Sequence, residues 1–366
     1  MKVKNNYDEC LTNLACSIRK YFDLPIKHKT LDIIDEYLEK NNPTNVVVIL
    51  LDGMGANILK RTLPDNSFFL KNLKKSITTV FPATTTAATT SIRTGLNPVE
   101  HGWLGWTTYI EPIDKVITLF MNTEKGHDGE ICEEFLKVKD KLVTKTIVNE
   151  IEEANKHKAL ELMPFGDDAY NGLDDMLEKI KDETKKPGKK YIYAYDTEPD
   201  STMHDTSPDD EKVKELIKER NDKIEKLASE LKDTLLIVVA DHGHMKTENL
   251  FLKDYPDVFN LLARKTSIDQ RAVSFKVKDG KKAEFRQKFE EHFKDYYDLY
   301  DSKDIIDSKL FGDGPENELF RPALGDFLAI AKDKVCLVTP GDEILSSHHA
   351  GYTDDEVYVP VIIKEC

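Results

Sequence analysis

The distribution of apolar residues along the chain predicts an α/β fold. Three short apolar runs, at residues 46–51, 191–195 and 235–240, have the length and uniform hydrophobicity of buried strands. Elsewhere apolar residues recur at helical spacing, as in residues 8–22 and 31–38. Buried strands that alternate with helices are typical of a mostly parallel central sheet flanked by helices. We therefore expect a core of this architecture.

Two stretches of the chain differ from the core pattern. Residues 107–170 mix strand and helix signals without a recognisable motif, which predicts a cap or elaborated loops. Residues 268–312 begin with strand-like alternation and continue with three phenylalanines at positions i, i+4 and i+8 of a helix. This second stretch is predicted to be a small α+β insert. The core then comprises residues 1–106, 171–267 and 313–366.

The composition limits the possible functions. The chain has 366 residues, of which 33% are charged, and a formal net charge of −15, which disfavours binding of nucleic-acid polymers through a basic surface. No apolar stretch approaches the roughly 20 residues needed to span a membrane, and residues 1–9 lack the apolar core of a signal peptide. Five cysteines without CxxC spacing favour reduced thiols. We therefore predict a cytoplasmic protein without membrane attachment, of undetermined oligomeric state.

Residue types that bind metal ions follow each of the three apolar runs. They are Asp52 after the first run, Asp200 and His204 after the second, Asp241 and His242 after the third, and His348 and His349 late in the chain. In open α/β sheets the ligand site lies beyond the carboxyl ends of the strands, so these residues are expected to converge. Carboxylates and imidazoles together suit two borderline divalent ions, and zinc is the ion that this mixed set favours.

Each of these residues also has a purely structural interpretation. Asp52 could form an ordinary turn with Gly53 after a strand, and Asp200 could cap a short helix. His242 and His349 could be buried histidines whose nitrogens are satisfied by hydrogen bonds. The simultaneous occurrence of all of these alternatives is improbable, so the sequence favours the metal site.

A threonine-rich segment at residues 80–91 contains a possible nucleophile. Threonine hydroxyls are favoured at helix starts, where they accept an unpaired backbone N–H, so an N-capped helix is the simpler interpretation. A hydroxyl at a helix N-terminus also lies at the positive end of the helix dipole, which favours an alkoxide and a phosphate anion. Metal coordination is one recognised way to activate such a hydroxyl. The metal-binding residues elsewhere in the chain favour this second interpretation.

Several motifs occur in a fixed order along the chain: LLDGMG at residues 50–55, FPATTT at 81–86 followed by TGLNPVEHG at 94–102, EPDSTMH at 198–204, ADHGH at 240–244 and SHHAGY at 347–352. Together they resemble the alkaline phosphatase superfamily, and within it the type I phosphodiesterase/nucleotide pyrophosphatase family. The resemblance spans roughly residues 45–363, with the two divergent stretches uncovered. It implies an alkaline-phosphatase-like core around a two-zinc site.

The resemblance also implies a role for each motif residue. One ion would be held by Asp52, Thr85, Asp241 and His242, and the other by Asp200, His204 and His349. Thr85 would be the nucleophile, with Thr84 and Thr86 as the adjacent alternatives, and His348 is the adjacent alternative to His349. His244 is expected to support the ligands without binding an ion, and His101 to have a structural role.

The implied function is hydrolysis of a small anionic phosphate ester of the phosphodiester or nucleotide pyrophosphate type. The family pattern has an asparagine about four residues after its His-Gly pair, where this chain has Trp106. This departure keeps a phosphomonoesterase or a phosphonoacetate hydrolase as alternatives. A phosphonoacetate hydrolase would need a cation for the substrate carboxylate, for which Arg93 and Lys125 are candidates. A non-catalytic, metal-stabilised binding protein is the third interpretation.

Overall fold

The strands of this protein form two main sheets. A computed structural model describes residues 5–127, 129–166 and 169–366. Residues 1–4, which belong to the N-terminal sequence considered above, lie outside the described residues, as do positions 128, 167 and 168 of the predicted cap. The strands are β1 (Asn45–Leu51), β2 (Leu73–Thr78), β3 (Thr107–Ile110), β4 (Lys115–Thr118), β5 (Thr123–Glu124), β6 (Lys158–Leu162), β7 (Lys190–Asp196), β8 (Thr234–Val239), β9 (Met245–Lys246), β10 (Glu248–Phe251), β11 (Ser267–Ile268), β12 (Ala272–Phe275), β13 (Tyr297–Asp301), β14 (Phe327–Ala331), β15 (Val335–Val338), β16 (Ser347–His348) and β17 (Tyr358–Glu365).

The helices pack around these sheets. The α-helices are α1 (Leu11–Tyr21), α2 (Asp32–Asn41), α3 (Ala56–Thr62), α4 (Phe68–Asn72), α5 (Thr85–Thr94), α6 (Pro98–His101), α7 (Glu133–Leu136), α8 (Ile147–Ala154), α9 (Gly172–Thr184), α10 (Asp200–Asp205), α11 (Glu211–Glu230), α12 (Pro256–Phe259), α13 (Lys282–Phe293), α14 (Ser302–Asp307), α15 (Phe320–Leu324) and α16 (Asp354–Val357). Short 3-10 helices span Glu111–Ile113, Lys139–Lys141 and Leu252–Asp254.

The larger sheet has the strand order β2-β17-β8-β1-β7-β6 and contains the three predicted strands at its centre. β1 pairs in parallel with both β7 and β8, and every residue of these three strands is buried. Helices on both faces cover such strands, which explains their continuous hydrophobicity. β17 runs antiparallel to β8 and β2. The predicted mostly parallel α/β core is thus confirmed, with each of the three strands within one residue of its predicted ends.

The second sheet joins segments that the sequence analysis separated. Its order is β13-β14-β12-β11-β3-β4-β5, so strands of the predicted cap pair with strands of the predicted insert. Ile268 pairs with Thr107 at the junction. β6, which the prediction placed in the cap, is instead an edge strand of the larger sheet beside β7. Local periodicity carries no information about which distant strands pair, so the sequence could not show these pairings, and the division of the chain into core, cap and insert stays a prediction.

The predicted helix of the insert is present as α13. Phe285, Phe289 and Phe293 are buried on one face of this helix. They form a hydrophobic cluster with Phe275 of β12 and Phe327 of β14, so the helix covers the second sheet. No helix in the described part of the chain is long and apolar enough to cross a membrane. All five cysteines are free thiols.

A buried ion pair connects the second sheet to the C-terminal part of the core. Arg271 and Glu356 are both completely buried, and two parallel contacts of 2.6 and 2.9 Å join the guanidinium to the carboxylate. Glu356 also accepts hydrogen bonds from the backbone N–H groups of Gly351 and Thr353. Burial opposes the charged carboxylate, but Arg271 holds the pKa of Glu356 below its usual value. The pair thereby fixes the loop that follows His349.

Glu356→Gln is expected to destabilise the protein by roughly 3 kcal/mol, because it leaves the Arg271 guanidinium buried without a counter-ion. Since the pKa of Glu356 is lowered in the folded state, the contribution of its carboxylate to the free energy of unfolding should be complete above about pH 4.5 and disappear as the pH falls further. Urea denaturation measures both effects. Glu365→Gln, which breaks the exposed pair with Lys40, is the control and should change stability by less than about 1 kcal/mol. Equal effects of the two variants would contradict the prediction.

Candidate metal centre

Backbone hydrogen bonds tie together the loops that follow β1, β7 and β8. The N–H of Asp52 donates to the carbonyl of Asp196 at 2.9 Å, and the N–H of Asp200 donates to the carbonyl of Asp52 at 3.1 Å. The N–H of Gly53 donates to Oδ1 of Asp241 at 3.1 Å. These bonds bring three aspartates from distant parts of the sequence to one edge of the sheet, as the strand-end argument predicts.

Two glycines permit this close approach. Gly53 has a φ of +71°, and a Cβ at this position would lie 2.9 Å from Cβ of Asp200. A Cβ on Gly243 would lie 1.8 Å from the carbonyl oxygen of Asp355. Any side chain at either position would push the loops apart.

The converging side chains form two groups whose potential ligand atoms lie within 4.8 Å of one another. The first group is Asp200, His204, His244 and His349, and the second is Asp52, Asp200 and His242. Asp241 adjoins the second group, since its Oδ2 lies 3.4 Å from Nε2 of His242. The structure therefore brings together all six of the Asp and His ligands expected from the sequence. It differs in two respects: Asp200 belongs to both groups, and His244 joins the first.

Unpaired buried oxygen atoms show that these groups suit cations. Oδ1 of Asp52, Oδ1 of Asp200 and Oδ2 of Asp241 are buried and accept no hydrogen bond from the described residues. A buried carboxylate oxygen without a donor is unfavourable, and a bound metal ion removes that cost. The donor set of carboxylates and imidazoles also fits a borderline ion such as zinc. The residues present thus fit the metal ions that the sequence implies.

Backbone carbonyls orient three of the histidines for metal binding. Nδ1 lies 3.0 Å from the carbonyl oxygen of Ser347 in His204, 3.0 Å from that of Gly243 in His242, and 3.1 Å from that of Ala83 in His349. Nδ1–H is the donor in such a contact, so Nε2 remains free to bind a metal ion. In each residue Nε2 points towards the aspartates, as for His242 at 3.3 Å from Oδ1 of Asp52.

Thr85 lies at the second group of ligands. It is the first residue of α5 and is 5% exposed, and its Oγ1 lies 3.1 Å from Nε2 of His242. The other two candidate threonines have different surroundings. The hydroxyl of Thr84 donates to Oδ2 of Asp269 at 3.0 Å, whereas Oγ1 of Thr86 is buried without a hydrogen-bond partner in the described chain. Thr84 occupies the N-cap position, but its side chain makes no capping hydrogen bond. Of the three, Thr85 is therefore the one placed beside the predicted ligands.

The cluster is electrostatically strained without cations. Burial raises the pKa of Asp52 well above its usual value, and the carboxylates of Asp241 and Asp200 add to this effect. Burial likewise raises the pKa of Asp241. For Asp200, burial also opposes the charge, but His204 and the other nearby imidazoles hold its pKa below the usual range. Burial lowers the pKa of His204, but Asp200 outweighs this and raises it to about 9.

Other polar residues near the site have structural partners. Asp196 forms a buried ion pair with Arg220 at 2.8 Å. His101 contacts the hydroxyl of Ser91 through Nε2 at 3.0 Å, and burial lowers the pKa of His101 to about 3. Nδ1 of His348 accepts the backbone N–H of His349 at 2.9 Å. These contacts support the structural interpretation of His101 and leave His349, not His348, in the candidate ligand group.

The two candidate cations for a substrate carboxylate are both neutralised by acidic residues. Arg93 donates to both carboxylate oxygens of Glu161 at 2.8 Å. Lys125 is buried and lies 2.7 Å from the carboxylate of Asp342. Trp106, at the family's asparagine position, is half-buried, and its ring makes an edge contact with Phe120 at 6.1 Å between centroids.

The family to which the chain belongs follows from its similarity to known protein families. A model of the type I phosphodiesterase/nucleotide pyrophosphatase family matches residues 46–350. The chain belongs to this family. It is therefore a hydrolase that acts on phosphoric ester bonds, and the predicted family and enzyme class are confirmed. Both stretches that the sequence analysis left uncovered, residues 107–170 and 268–312, lie inside the matched range. No curated protein matches the chain.

Solved structures show the same fold. Murine ectonucleotide pyrophosphatase/phosphodiesterase 5 has 18% identity and a TM-score of 0.67, over 88% of this chain and 88% of that chain. An inactive variant of that murine enzyme in complex with AMP has 18% identity and a TM-score of 0.65, over 86% and 87% of the two chains. Phosphonoacetate hydrolase from Sinorhizobium meliloti 1021 in complex with phosphonoformate has 14% identity and a TM-score of 0.62, over 88% and 90%. These relatives confirm the predicted alkaline-phosphatase-like fold.

Proposed function

We propose that this family member is a two-metal phosphodiesterase that uses Thr85 as its nucleophile and zinc as its metal. The observation that carries the proposal is the group of acceptor atoms facing one another beside the Thr85 hydroxyl. Nε2 of His242 lies 3.3 Å from Oδ1 of Asp52 and 3.4 Å from Oδ2 of Asp241, and neither oxygen has a donor among the described side chains. A cation shared by these atoms removes their mutual repulsion.

Asp52, Asp241 and His242, together with Thr85, would hold one ion, and Asp200, His204 and His349 would hold the other. When bound, the ions lower the pKa of the hydroxyl nucleophile and stabilise charge on the leaving oxygen. Thr85 Oγ1 gives up its proton and attacks phosphorus while the opposite P–O bond breaks, and the leaving oxygen departs with the first product. This gives a phosphothreonine that still carries the second ester group of the diester. Water then attacks phosphorus and loses a proton, Thr85 Oγ1 departs and takes up a proton, and a phosphate monoester is released.

The start of α5 also contributes to charge stabilisation. The first backbone N–H groups of a helix have no partner within the helix, and those of Thr85 and Thr86 are in this position. They lie at the positive end of the helix dipole, beside the proposed nucleophile. We propose that they donate to the non-bridging oxygens of the phosphoryl group, in place of the asparagine that Trp106 replaces.

A small anionic phosphate ester is the proposed substrate, and a diester or nucleotide pyrophosphate is the preferred type. The AMP complex of the murine relative supports a nucleotide-like ligand. The phosphonoformate complex of the bacterial hydrolase keeps a phosphonate as the alternative. Glu161 and Asp342 neutralise the two candidate cations, Arg93 and Lys125, which disfavours a substrate carboxylate at either position. The cytoplasmic location stays a prediction from the sequence.

Turnover of four substrate types by the zinc-loaded protein tests the proposed activity. The panel is an aryl phosphomonoester, an aryl phosphodiester, a nucleotide pyrophosphate and phosphonoacetate. We expect the diester or the pyrophosphate to have the highest kcat/KM, the quantity that reports differential stabilisation of the transition state. Highest turnover of phosphonoacetate would establish the alternative. Tight metal binding with no turnover of any phosphate ester would support a non-catalytic protein.

Elemental analysis after zinc loading is expected to show two ions per chain, because the structure contains two groups of converging ligands. Removal of the metal by a chelator should abolish hydrolysis, and added zinc should restore it. A single ion, or trace metal only, would contradict the two-metal proposal.

Trp106→Asn is expected to raise monoester turnover relative to diester turnover. An indole N–H donates one hydrogen bond and cannot replace a carboxamide. The wild-type site is therefore expected to lose more transition-state stabilisation with a dianionic monoester than with a diester. The measurement is the ratio of the two kcat/KM values in each variant. Trp103→Phe is the matched control: the ring of Trp103 also contacts Phe120, and its N–H donates to the carbonyl of Val143. An unchanged ratio in Trp106→Asn would show that Trp106 only packs.

A further inference from the structure

His244 is a buried imidazole without a hydrogen-bond partner at the metal centre. The residue is 0% exposed, and neither ring nitrogen has a partner among the described residues. Its Nε2 lies 3.3 Å from Oδ1 of Asp200. Its ring centroid lies 4.7 Å from that of His204 and 5.4 Å from that of His349. The unpaired nitrogen thus faces the same carboxylate as the two predicted histidine ligands.

Packing alone does not account for this arrangement. A buried polar atom without a partner destabilises the folded protein, and His244 has two such atoms. A hydrogen bond to Asp200 would satisfy one nitrogen, but Asp200 is itself shared by both groups of candidate ligands. Coordination of a cation by Nε2 satisfies the histidine and the carboxylate together.

We propose that His244 is a fourth protein ligand of the ion held by Asp200, His204 and His349. This inference rests on the proposed metal centre. The ion would then have three imidazoles and one carboxylate, whereas Asp52, Asp241 and His242 give the other ion two carboxylates and one imidazole. Four protein ligands would complete the tetrahedral shell of zinc, and zinc can take a fifth ligand in a transition state, so the leaving oxygen would still be able to bind this ion.

Unequal ligand sets lead to unequal affinities. Imidazole-rich sites bind zinc, copper and nickel well, whereas carboxylates also accept harder ions such as magnesium and manganese. The ion with His244 is therefore the more tightly held of the two, and a chelator should remove the other ion first. The effect of His244 is smaller than that of His204 or His349, because its Nδ1 has no carbonyl in the described structure to fix the orientation of the ring.

The test is the comparison of His244→Gln with His101→Gln, a buried histidine that contacts the hydroxyl of Ser91 and lies outside the candidate ligand groups. In His244→Gln, chelator competition should show that the tighter ion is held more weakly, by more than the roughly 10–100-fold that the loss of an outer-shell partner causes. X-ray absorption of the zinc-loaded protein should show fewer imidazole ligands per zinc. His101→Gln should leave both measurements as in the wild type. His244→Cys, which supplies a thiolate ligand, should restore most of the affinity.

The possible outcomes distinguish a failure of this inference from a failure of the proposed function. Unchanged affinity and imidazole count in His244→Gln would overturn the inference. Weaker binding with an unchanged imidazole count would also overturn it, because His244 would then only position Asp200. Failure of the wild-type protein to bind two ions would instead overturn the proposed metal centre. Circular dichroism of the metal-free variants establishes that each variant is folded.

Discussion

Thr85→Ala is expected to reduce hydrolysis of every substrate by at least about a thousandfold, because it removes the atom that attacks phosphorus. The Asp and His ligands remain, so elemental analysis should still find the ion at Asp200, His204 and His349. Thr85→Ser should retain part of the activity, since it keeps the hydroxyl. Steady-state kinetics together with metal content distinguishes loss of the nucleophile from loss of the centre.

The neighbouring threonines provide matched controls. Thr86→Val preserves the shape of the side chain and removes a buried hydroxyl that has no partner within the described structure, so activity should change little and stability should not fall. Thr84→Val breaks the hydrogen bond to Asp269 at the start of α5 and should have an intermediate effect. An inactive Thr84→Val variant beside an active Thr85→Ala variant would contradict the assignment of the nucleophile.

The central sheet could be predicted from the sequence because its strands are buried on both faces. In a continuous apolar run such as residues 46–51, both faces of the strand are apolar, so the sequence predicts burial on both sides. The first polar residue after each run marks the end of the strand. The convergence of Asp52, Asp200 and Asp241 then follows from the general rule that sites lie at the carboxyl ends of parallel strands.

Features that depend on distant pairing or on side-chain direction could not be predicted in the same way. The pairing of β3 with β11 joins residues 107 and 268, and nothing in either segment specifies the partner. His244 is two residues from His242, and whether its ring faces the ligands or the core depends on the path of the backbone at Gly243. The hydroxyl of Thr84 points to Asp269, a residue that the sequence analysis did not single out.

Asp241→Asn is expected to have opposite effects on the metal-free and the metal-loaded protein. Burial and the neighbouring carboxylates raise the pKa of Asp52 and Asp241, so the metal-free cluster is unfavourable when both are charged. Asparagine has nearly the same shape and can still accept the hydrogen bonds from Gly53 and His242, but it removes one negative charge. The metal-free variant should therefore be more stable than the wild type, by on the order of 1 kcal/mol.

The stability of the metal-free protein should change with pH in a defined direction. A carboxyl group whose pKa is raised on folding favours the folded state at low pH, and this contribution disappears as the pH rises through the folded-state pKa. Metal-free wild type should thus lose stability as the pH rises above the usual pKa of an aspartate and through the raised folded-state pKa values of Asp52 and Asp241, and Asp241→Asn should lose less. Thermal melting in the presence of a chelator measures this difference. Asp205→Asn, at an exposed aspartate of α10, is the control and should behave as the wild type.

When zinc is bound, the wild type should be more stable than Asp241→Asn. The wild type gains stability because only the folded chain presents the converging ligands, whereas Asp241→Asn loses one anionic ligand of the ion beside Thr85. Hydrolysis should fall by about a thousandfold or more, since the hydroxyl is no longer activated. A variant that is less stable than the wild type without metal would show that Asp241 stabilises the fold itself. A variant that is more stable without metal and inactive with it would establish that the buried carboxylate of Asp241 serves metal binding and not folding.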